Sequence, residues 1–570
     1  MNLAAIHHEA TQRWCHALEK DRFVIRIQTG KDDVQSIILH ARDKHIPLKF
    51  FDSRKTTPMI KVASDGLRDY YEAELTFHLA CLRYCFQIRG LDGTDVILAN
   101  DGLTDAIPED KERLFDCCQN LREEELFSVP EWAENKVIYQ IFPSRFATDK
   151  PVKDSVWYQA PIGAGVKLGG NLRGIIAHLD HIRDLGADII YMTPIFYSKS
   201  AHKYDTIDYY QVDPTFGTTE DLRELVDQAH AMGIRVVLDA VFNHTSPEFF
   251  AFEDLKKNKE QSPYRNWYYP EDFPIRVFPK PNYKCFGYFG GMPKVNLRNP
   301  DTARYFIDVA LHWLRVSGAD GWRLDVADEI CHDFWRAFRR EVKAEFPEAL
   351  IVGEIWHHAP DFLEGDQWDS VMNYPFFRAV EDFGALHRIP ASTYLGRLGF
   401  LRGNTHSKAH SLLWNIIGSH DTARLLYRCG EDKARQKLCA ALCLLWPGMP
   451  MIYYGDEVGM TGGQDPDCRR GMLWDKERQD LDMLGFYQTL IRLRKDIPAI
   501  TLGRIIRQDA DDRQGLILLE RELDKKTVTI VFHNQDGDVS LPAYAGRTDA
   551  VTGMRFSGVM NGIGVLVFTE

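Results

Sequence analysis

The chain has 570 residues, 45% hydrophobic and 26% charged, the balance of a soluble globular protein long enough for three or so domains. A net charge of −13 with no long run of one sign argues against a nucleic-acid partner, which needs a basic patch, and suits a neutral or polar substrate. Eleven cysteines without one CxxC pair exclude a zinc ribbon or a thioredoxin motif, and their scatter is that of reduced thiols. The opening residues, MNLAAIHHEATQRW, have no basic segment followed by a long apolar run. The longest apolar stretch, ALCLLWPGMPMIYY, is broken by two prolines and is too short to cross a bilayer. A cytoplasmic protein without membrane contact is expected.

Residues 1–125 are β-rich. RFVIRIQT (22–29) and VQSIILHAR (34–42) alternate and are joined by GKDD, a turn signal; YYEAELTFH and CLRYCFQIRG give another strand pair. No convincing helix period occurs, so a β-sandwich is expected, closed by a charged connector, EDKERLFDCCQNLREEE. From 137 the pattern changes. VIYQIFP, ADIIYMTP, IRVVLDAVFNH, ADGWRLDVA, LIVGEIW, WDSVMNYP, LWNIIGSHDT and MPMIYYGDE are short apolar runs, most of them separated by helix-period stretches. Gly186, Gly233 and Gly318 stand where helix C-caps would fall. Near-continuous apolar strands alternating with helices imply a parallel sheet covered on both faces, and eight such units imply a (β/α)8 TIM barrel. After VFNH some fifty-five aromatic-, Pro- and Gly-rich residues precede the next helix. A loop of that length is usually functional, and we take it as an inserted subdomain after strand three. Short alternating runs (GLILLERE, TVTIVFHN, GVLVFTE) close the chain. The expected domains are 1–125, the barrel at 126–244 and 300–497, the insertion at 245–299, and a C-terminal β-domain at 498–570.

Barrel active sites are built at the C-terminal ends of the strands. Those ends carry Asp239, Asn243 and His244, then Arg323 and Asp325, then Glu354 and Trp356, then His420 and Asp421. Each alone has an ordinary structural explanation. Asp239 could cap a turn, His244 could be a satisfied core histidine, and Glu354 could pair with Lys343 or an arginine. Gathered on one rim they ask for chemistry, and two carboxylates in unequal surroundings suit glycoside hydrolysis. In ADGWRLDVAD, strand alternation puts Arg323 and Asp325 on one face. The arginine is expected to lower the Asp325 pKa, as a nucleophile needs. Glu354, among the apolar residues of GEIWHH, is expected to have its pKa raised by desolvation, as an acid needs. A metal-dependent barrel hydrolase is the rival, but the first strand has no histidine, and the adjacent His357 and His358 face opposite ways.

At these residues the sequence resembles the α-amylase family of retaining glycoside hydrolases. DAVFNH (239–244), GWRLDVADE (321–329), GEIW (353–356) and GSHDT (418–422) are similar to its four central motifs. MPKVNL (292–297) and GMTGGQDPDCRRGMLWD (459–475) resemble the branch of cyclomaltodextrinases, maltogenic amylases and neopullulanases. The resemblance implies Asp325 as nucleophile, Glu354 as general acid/base and Asp421 as a transition-state stabiliser that binds sugar hydroxyls. It implies Arg323, His244 and His420 as their neighbours. It places His202 and Tyr204 at the donor-side −1 site, with Tyr204 as a stacking platform, and Asp465 and Arg469 near the donor sugar. Trp356, Phe286 and Tyr374 would form the apolar side of the acceptor sites. The substrates implied are cyclodextrins, pullulan and maltooligosaccharides, with transglycosylation; an oligo-1,6-glucosidase or related α-glucosidase is opposed by the N-terminal domain and MPKVNL. A non-catalytic barrel, such as a transporter subunit, would need a membrane anchor and usually lacks the carboxylates.

Two departures stand out. The run SRFATDKPVKD replaces an RFxNGD-like calcium segment, and Asn171 replaces a family aspartate. Asp149, Asp154 and Asn171 leave a thin oxygen set, so structural calcium would be weak or lost, and the chemistry needs no cofactor. DVADE stands where many branch members have DVANE, which puts Asp328 on the acceptor side. In this branch the N-terminal domain often packs across a partner's barrel, so a homodimer is expected, with residues 1–125 narrowing the partner's groove against bulky starch.

Overall fold

The structure is a computed structural model and describes residues 1–45, 55–76, 81–118, 126–163 and 165–569. The N-terminal region forms two sheets. One holds strands Cys15–Glu19, Arg22–Gly30, Arg68–Thr76 and Ile60–Ser64; the other is built on Val34–Asp43 and Cys81–Gly90. Phe23, Ile25 and Ile27 of the first sheet bury against Ile37, Leu39, Tyr84 and Phe86 of the second. The strands on either side of GKDD therefore do not pair with each other. Arg22–Gly30 pairs with Arg68–Thr76, and Val34–Asp43 with Cys81–Gly90. The second expected pair is divided between the sheets in the same way. Each strand has a single apolar face, and crossing between sheets is what turns two such faces toward one another. The expected connector is partly strand: Phe115–Cys118 pairs with Cys81–Gly90, and Arg83 fixes it through Asp116 (2.7 Å) and Glu112 (2.9 Å). Residues 119–125, where the first domain boundary was expected, lie outside the described residues.

This sandwich rests on the barrel helix Ala391–Asn404 of its own chain. Buried Arg26 donates to the carbonyls of Gly403 (2.9 Å) and Thr405 (3.1 Å) and pairs with Glu72, which also takes Arg402 (3.2 Å). A Cβ at Gly403 would meet the Tyr70 ring at 2.5 Å, so this close approach requires glycine.

The eight apolar runs are eight parallel strands: Ile138–Ile141, Ile189–Met192, Arg235–Ala240, Gly321–Leu324, Leu350–Gly353, Ser370–Val371, Trp414–Ile416 and Met449–Tyr453. Each pairs with its neighbour, the eighth with the first. A bridge between Met372 and Trp414 closes the ring between the sixth and seventh. The helices terminate as expected, with Gly186, Gly233 and Gly318 left-handed at φ 93°, 77° and 74°. Among the inserted residues, 250–258 form a helix that the aromatic run concealed, anchored by Ala251, Phe252 and Leu255. Lys294 of MPKVNL ties the insertion to the barrel: its ammonium donates to Asn243 and to the Glu329 carboxylate (3.0 Å).

The C-terminal sheet contains the three expected strands and a fourth, Arg504–Asp511. The fourth is exposed along its whole length, so no apolar alternation marked it. No helix among the described residues is long and apolar enough to cross a membrane.

Candidate active site

Asp239 and Arg323 are Cα partners on strands three and four, and Arg323 aligns with Val352 on strand five. Asp325 and Glu354 each lie one residue beyond their strands, and their amides extend the ladder to Ala240 (3.0 Å) and Leu324 (2.9 Å). Parallel pairing thus sets Asp239 level with Arg323, and Asp325 level with Glu354 two residues further toward the rim. The fully buried Arg323 guanidinium sits among them. Its Nη1 donates to Asp239 (2.9 Å) and Asp325 (3.0 Å), and its Nη2 lies 2.8 Å from Glu354 without the alignment of a hydrogen bond.

The expected lowering of the Asp325 pKa by Arg323 does not prevail. Burial and the neighbouring Glu354 carboxylate push Asp325 well above the usual carboxylate range, against the pull of Arg323. One cation serves three buried acids here, and Asp239 is pushed up as well, to about 6, chiefly by burial. Two Glu354 oxygens are occupied: Oε1 accepts from Trp356 Nε1 (3.1 Å) and Oε2 from the Val326 amide (3.0 Å). Val326 holds that amide in place with φ 45°, ψ 45°, a left-handed conformation unfavourable for a β-branched residue.

A second network stands across the rim. Burial keeps His420 neutral, well below its ordinary pKa. Gln140 Nε2 donates to its Nδ1 (2.7 Å), and its Nε2 donates to the Tyr204 oxygen (2.6 Å). Tyr204 and Tyr191 in turn donate to Asp239 (3.1 and 2.7 Å). The Tyr204 ring lies parallel to that of His420, with centroids 5.5 Å apart, and the His202 ring centroid is 6.0 Å from that of Tyr204. His244 accepts no charge either: burial lowers it to about 3, and Nε2 bonds the Tyr204 carbonyl (3.1 Å). Asp421 receives Arg469 Nη2 (3.1 Å) and lies 3.2 Å from His420 Nε2, and Arg469 Nη1 reaches the exposed Asp465 (2.9 Å). The three carboxylates Asp325, Glu354 and Asp421 thus share one rim with the histidines and arginines expected beside them.

One acceptor-side expectation changes. Tyr374 is fully buried beneath Trp356, rings parallel at 3.9 Å, so it supports the groove wall and does not itself face a sugar. Trp356, 41% exposed, is the face presented, while Phe286 lies half-buried against His244 at 5.2 Å. Trp356→Ala should lower kcat/KM at least about tenfold, through KM for the lost stack of roughly 1.5 kcal/mol and through kcat for the hydrogen bond that Trp356 Nε1 gives Glu354. Steady-state kinetics on a maltooligosaccharide checks this, and an unchanged KM would contradict it.

The calcium set does not fit a cation. The Asn171 amide nitrogen donates to Asp149 (2.6 Å), and its oxygen caps a helix at the Gly174 amide (2.8 Å), while Asp154 is exposed at another helix start. Among the described residues no three His, Cys, Asp or Glu side chains are grouped to share an ion. Tyr191, Gln140 and Val326 were missing from the expected site, and Asp239 was placed on the rim without a role. Gln140 carried a signal, a lone polar residue in a buried strand; Tyr191 and Val326 act through strand register and backbone conformation.

This barrel rim is that of the α-amylase family, and the chain belongs to it: the alpha amylase catalytic-domain model matches residues 140–489, and the alpha amylase N-terminal ig-like domain model residues 1–119. It is a glycoside hydrolase. The chain is 41% identical to a cyclomaltodextrinase of Geobacillus thermopakistaniensis (strain MAS1), covering 98% of this chain and 96% of that one. It is 39% identical to Neopullulanase 2 of Thermoactinomyces vulgaris, covering 98% and 96%. A solved cyclomaltodextrinase structure superimposes with a TM-score of 0.94 at 36% identity, covering 100% of both chains.

Proposed function

We propose that this enzyme hydrolyses α-1,4 and α-1,6 glucosidic bonds of cyclodextrins, pullulan and maltooligosaccharides with retention of configuration, and transfers glycosyl groups to sugars. The observation that carries this is the single guanidinium of Arg323, which contacts Asp325 at 3.0 Å and Glu354 at 2.8 Å. Asp325 attacks the anomeric carbon while Glu354 protonates the leaving oxygen; Glu354 then deprotonates water or a sugar hydroxyl, which releases the glycosyl group. Asp421, backed by Arg469 and His420, accepts hydroxyl hydrogens of the donor sugar, and Tyr204 offers it a ring face. No cofactor is assigned to these steps. The names of the relatives support the substrate class. NMR spectra recorded in the first minutes of turnover should show the α-anomer before mutarotation, and a first-formed β-anomer would exclude the double displacement.

The same reading includes a homodimer in the cytoplasm, with residues 1–125 bordering the partner's groove. The barrel cysteines Cys331, Cys429, Cys439, Cys443 and Cys468 are thiols, as a reducing compartment favours. Light scattering at micromolar concentration should give twice the mass of one chain; a monomer would overturn the assembly.

A further inference from the structure

We propose that Lys203 is a positioning residue: its buried ion pair with Asp213 holds the backbone between His202 and Tyr204 in a left-handed turn, and so presents the Tyr204 ring to the donor sugar. The inference rests on the reading of Tyr204 given above. Residues 198–207 form the loop between the antiparallel strands Phe196–Tyr197 and Asp208–Val212, which follow barrel strand two. Lys203 lies in the middle of this loop with φ 67°. A residue that carries a Cβ disfavours that conformation roughly tenfold, whereas glycine adopts it freely. A lysine in this place needs something to offset the preference.

The side chain supplies the offset. Lysine is almost never buried unless paired, yet Lys203 is 3% exposed and Asp213 2%. Lys203 Nζ donates to Asp213 Oδ2 (2.7 Å) and to the Ser198 carbonyl (2.7 Å), so the ammonium ties the middle of the loop to both of its ends. The ring of Phe216 lies 5.3 Å from it. Asp213 is fixed in turn, with the Ser198 amide donating to Oδ2 (3.2 Å) and the Thr215 amide to Oδ1 (2.9 Å). The remaining bonds of the loop close around residue 203 and depend on its turn: the Lys203 amide donates to Ser200 Oγ (3.0 Å), and the Tyr204 amide to His202 Nδ1 (3.1 Å). In this pose the Tyr204 hydroxyl reaches Asp239 (3.1 Å) and its carbonyl meets His244 Nε2 (3.1 Å). The chemical steps use neither Lys203 nor Asp213, which leaves the shape of the loop as the purpose of the pair.

Lys203→Ala and Lys203→Gly in the full-length enzyme provide the test, with hydrolysis of β-cyclodextrin measured below both thermal midpoints. Both variants remove the ammonium and strand Asp213 alike, so both midpoints should fall. They differ in whether residue 203 accepts the left-handed turn. In Lys203→Ala the competent loop is populated about a tenth of the time, which should raise KM about tenfold and leave kcat unaltered, because bound substrate draws the loop back. Lys203→Gly should stay within about twofold of the wild-type KM. A purely structural role would lower the midpoints and leave the two KM values equal. Equal KM values, or a loss in Lys203→Ala that falls on kcat, would overturn the proposal. Where either variant folds poorly, the same pair is made with Asp213→Asn, which removes the stranded charge; the tenfold KM ratio should persist there, and its absence would overturn the proposal. Tyr204→Ala with an unaltered KM would instead count against the donor-site reading of that ring. The turn is then decided by hydrogen exchange of the Tyr204 amide, which should be about tenfold faster in Lys203→Ala than in Lys203→Gly; equal rates would overturn it.

Discussion

Asp325→Asn should lose turnover by more than the roughly 10²–10⁴-fold expected for Glu354→Gln, since the first removes the attacking group and the second only proton transfer. The asparagine oxygen can still accept from Arg323 Nη1, which lies 3.0 Å from the aspartate, so the local geometry survives. Stability should move the other way. Burial and Glu354 raise the Asp325 carboxyl in the folded chain, so its ionisation opposes folding at neutral pH. For such a group the folded state binds more protons than the unfolded one between the ordinary aspartate range and the raised value. Wild-type stability from this site therefore increases as pH falls through that window. Asparagine removes the charge, and the thermal midpoint at neutral pH should rise while activity disappears, a trade-off expected where a site is strained for function. Purified Asp325→Asn or Glu354→Gln within tenfold of wild-type kcat/KM would overturn the assignment.

Arg323→Met should be the most destabilising single change in the rim. It leaves Asp239, Asp325 and Glu354, all in contact with one buried guanidinium, without a cation. Breaking a buried ion pair by removing one partner costs about 3–5 kcal/mol, because the remaining charge stays buried. Asp239→Asn added to this variant should recover part of the loss, since it removes one of the stranded acids. Denaturant unfolding measures both. A single variant within about 1 kcal/mol of wild type would mean that the arginine does not organise the cluster.

What could be read from the residues divides along physical lines. The two-residue period of ADGWRLDVAD placed Arg323 and Asp325 side by side, and the structure has them hydrogen-bonded. The barrel strands were legible because parallel strands buried on both faces are apolar throughout. The sandwich connections were not, because alternation tells which face of a strand is apolar and leaves open which sheet it joins. Tyr374 was misjudged for a related reason: residue type favours stacking, but only the fold shows that Trp356 covers it. The expectation for Asp325 failed because the arginine is two residues away in sequence, whereas burial, and then Glu354, Asp239 and Asp421 from three other strands, arrive only with the fold. Asp239 itself became meaningful only through its register with Arg323.

The covalent step offers the most direct measurement. Incubation with 5-fluoro-α-glucosyl fluoride, which forms a glycosyl-enzyme and slows its hydrolysis, should add one glycosyl mass to the intact protein. Peptide mass spectrometry should place that mass on Asp325. A label on Glu354 or Asp421, or turnover of α-glucan without any trapped adduct and with an inverted first product, would contradict a retaining reaction through Asp325.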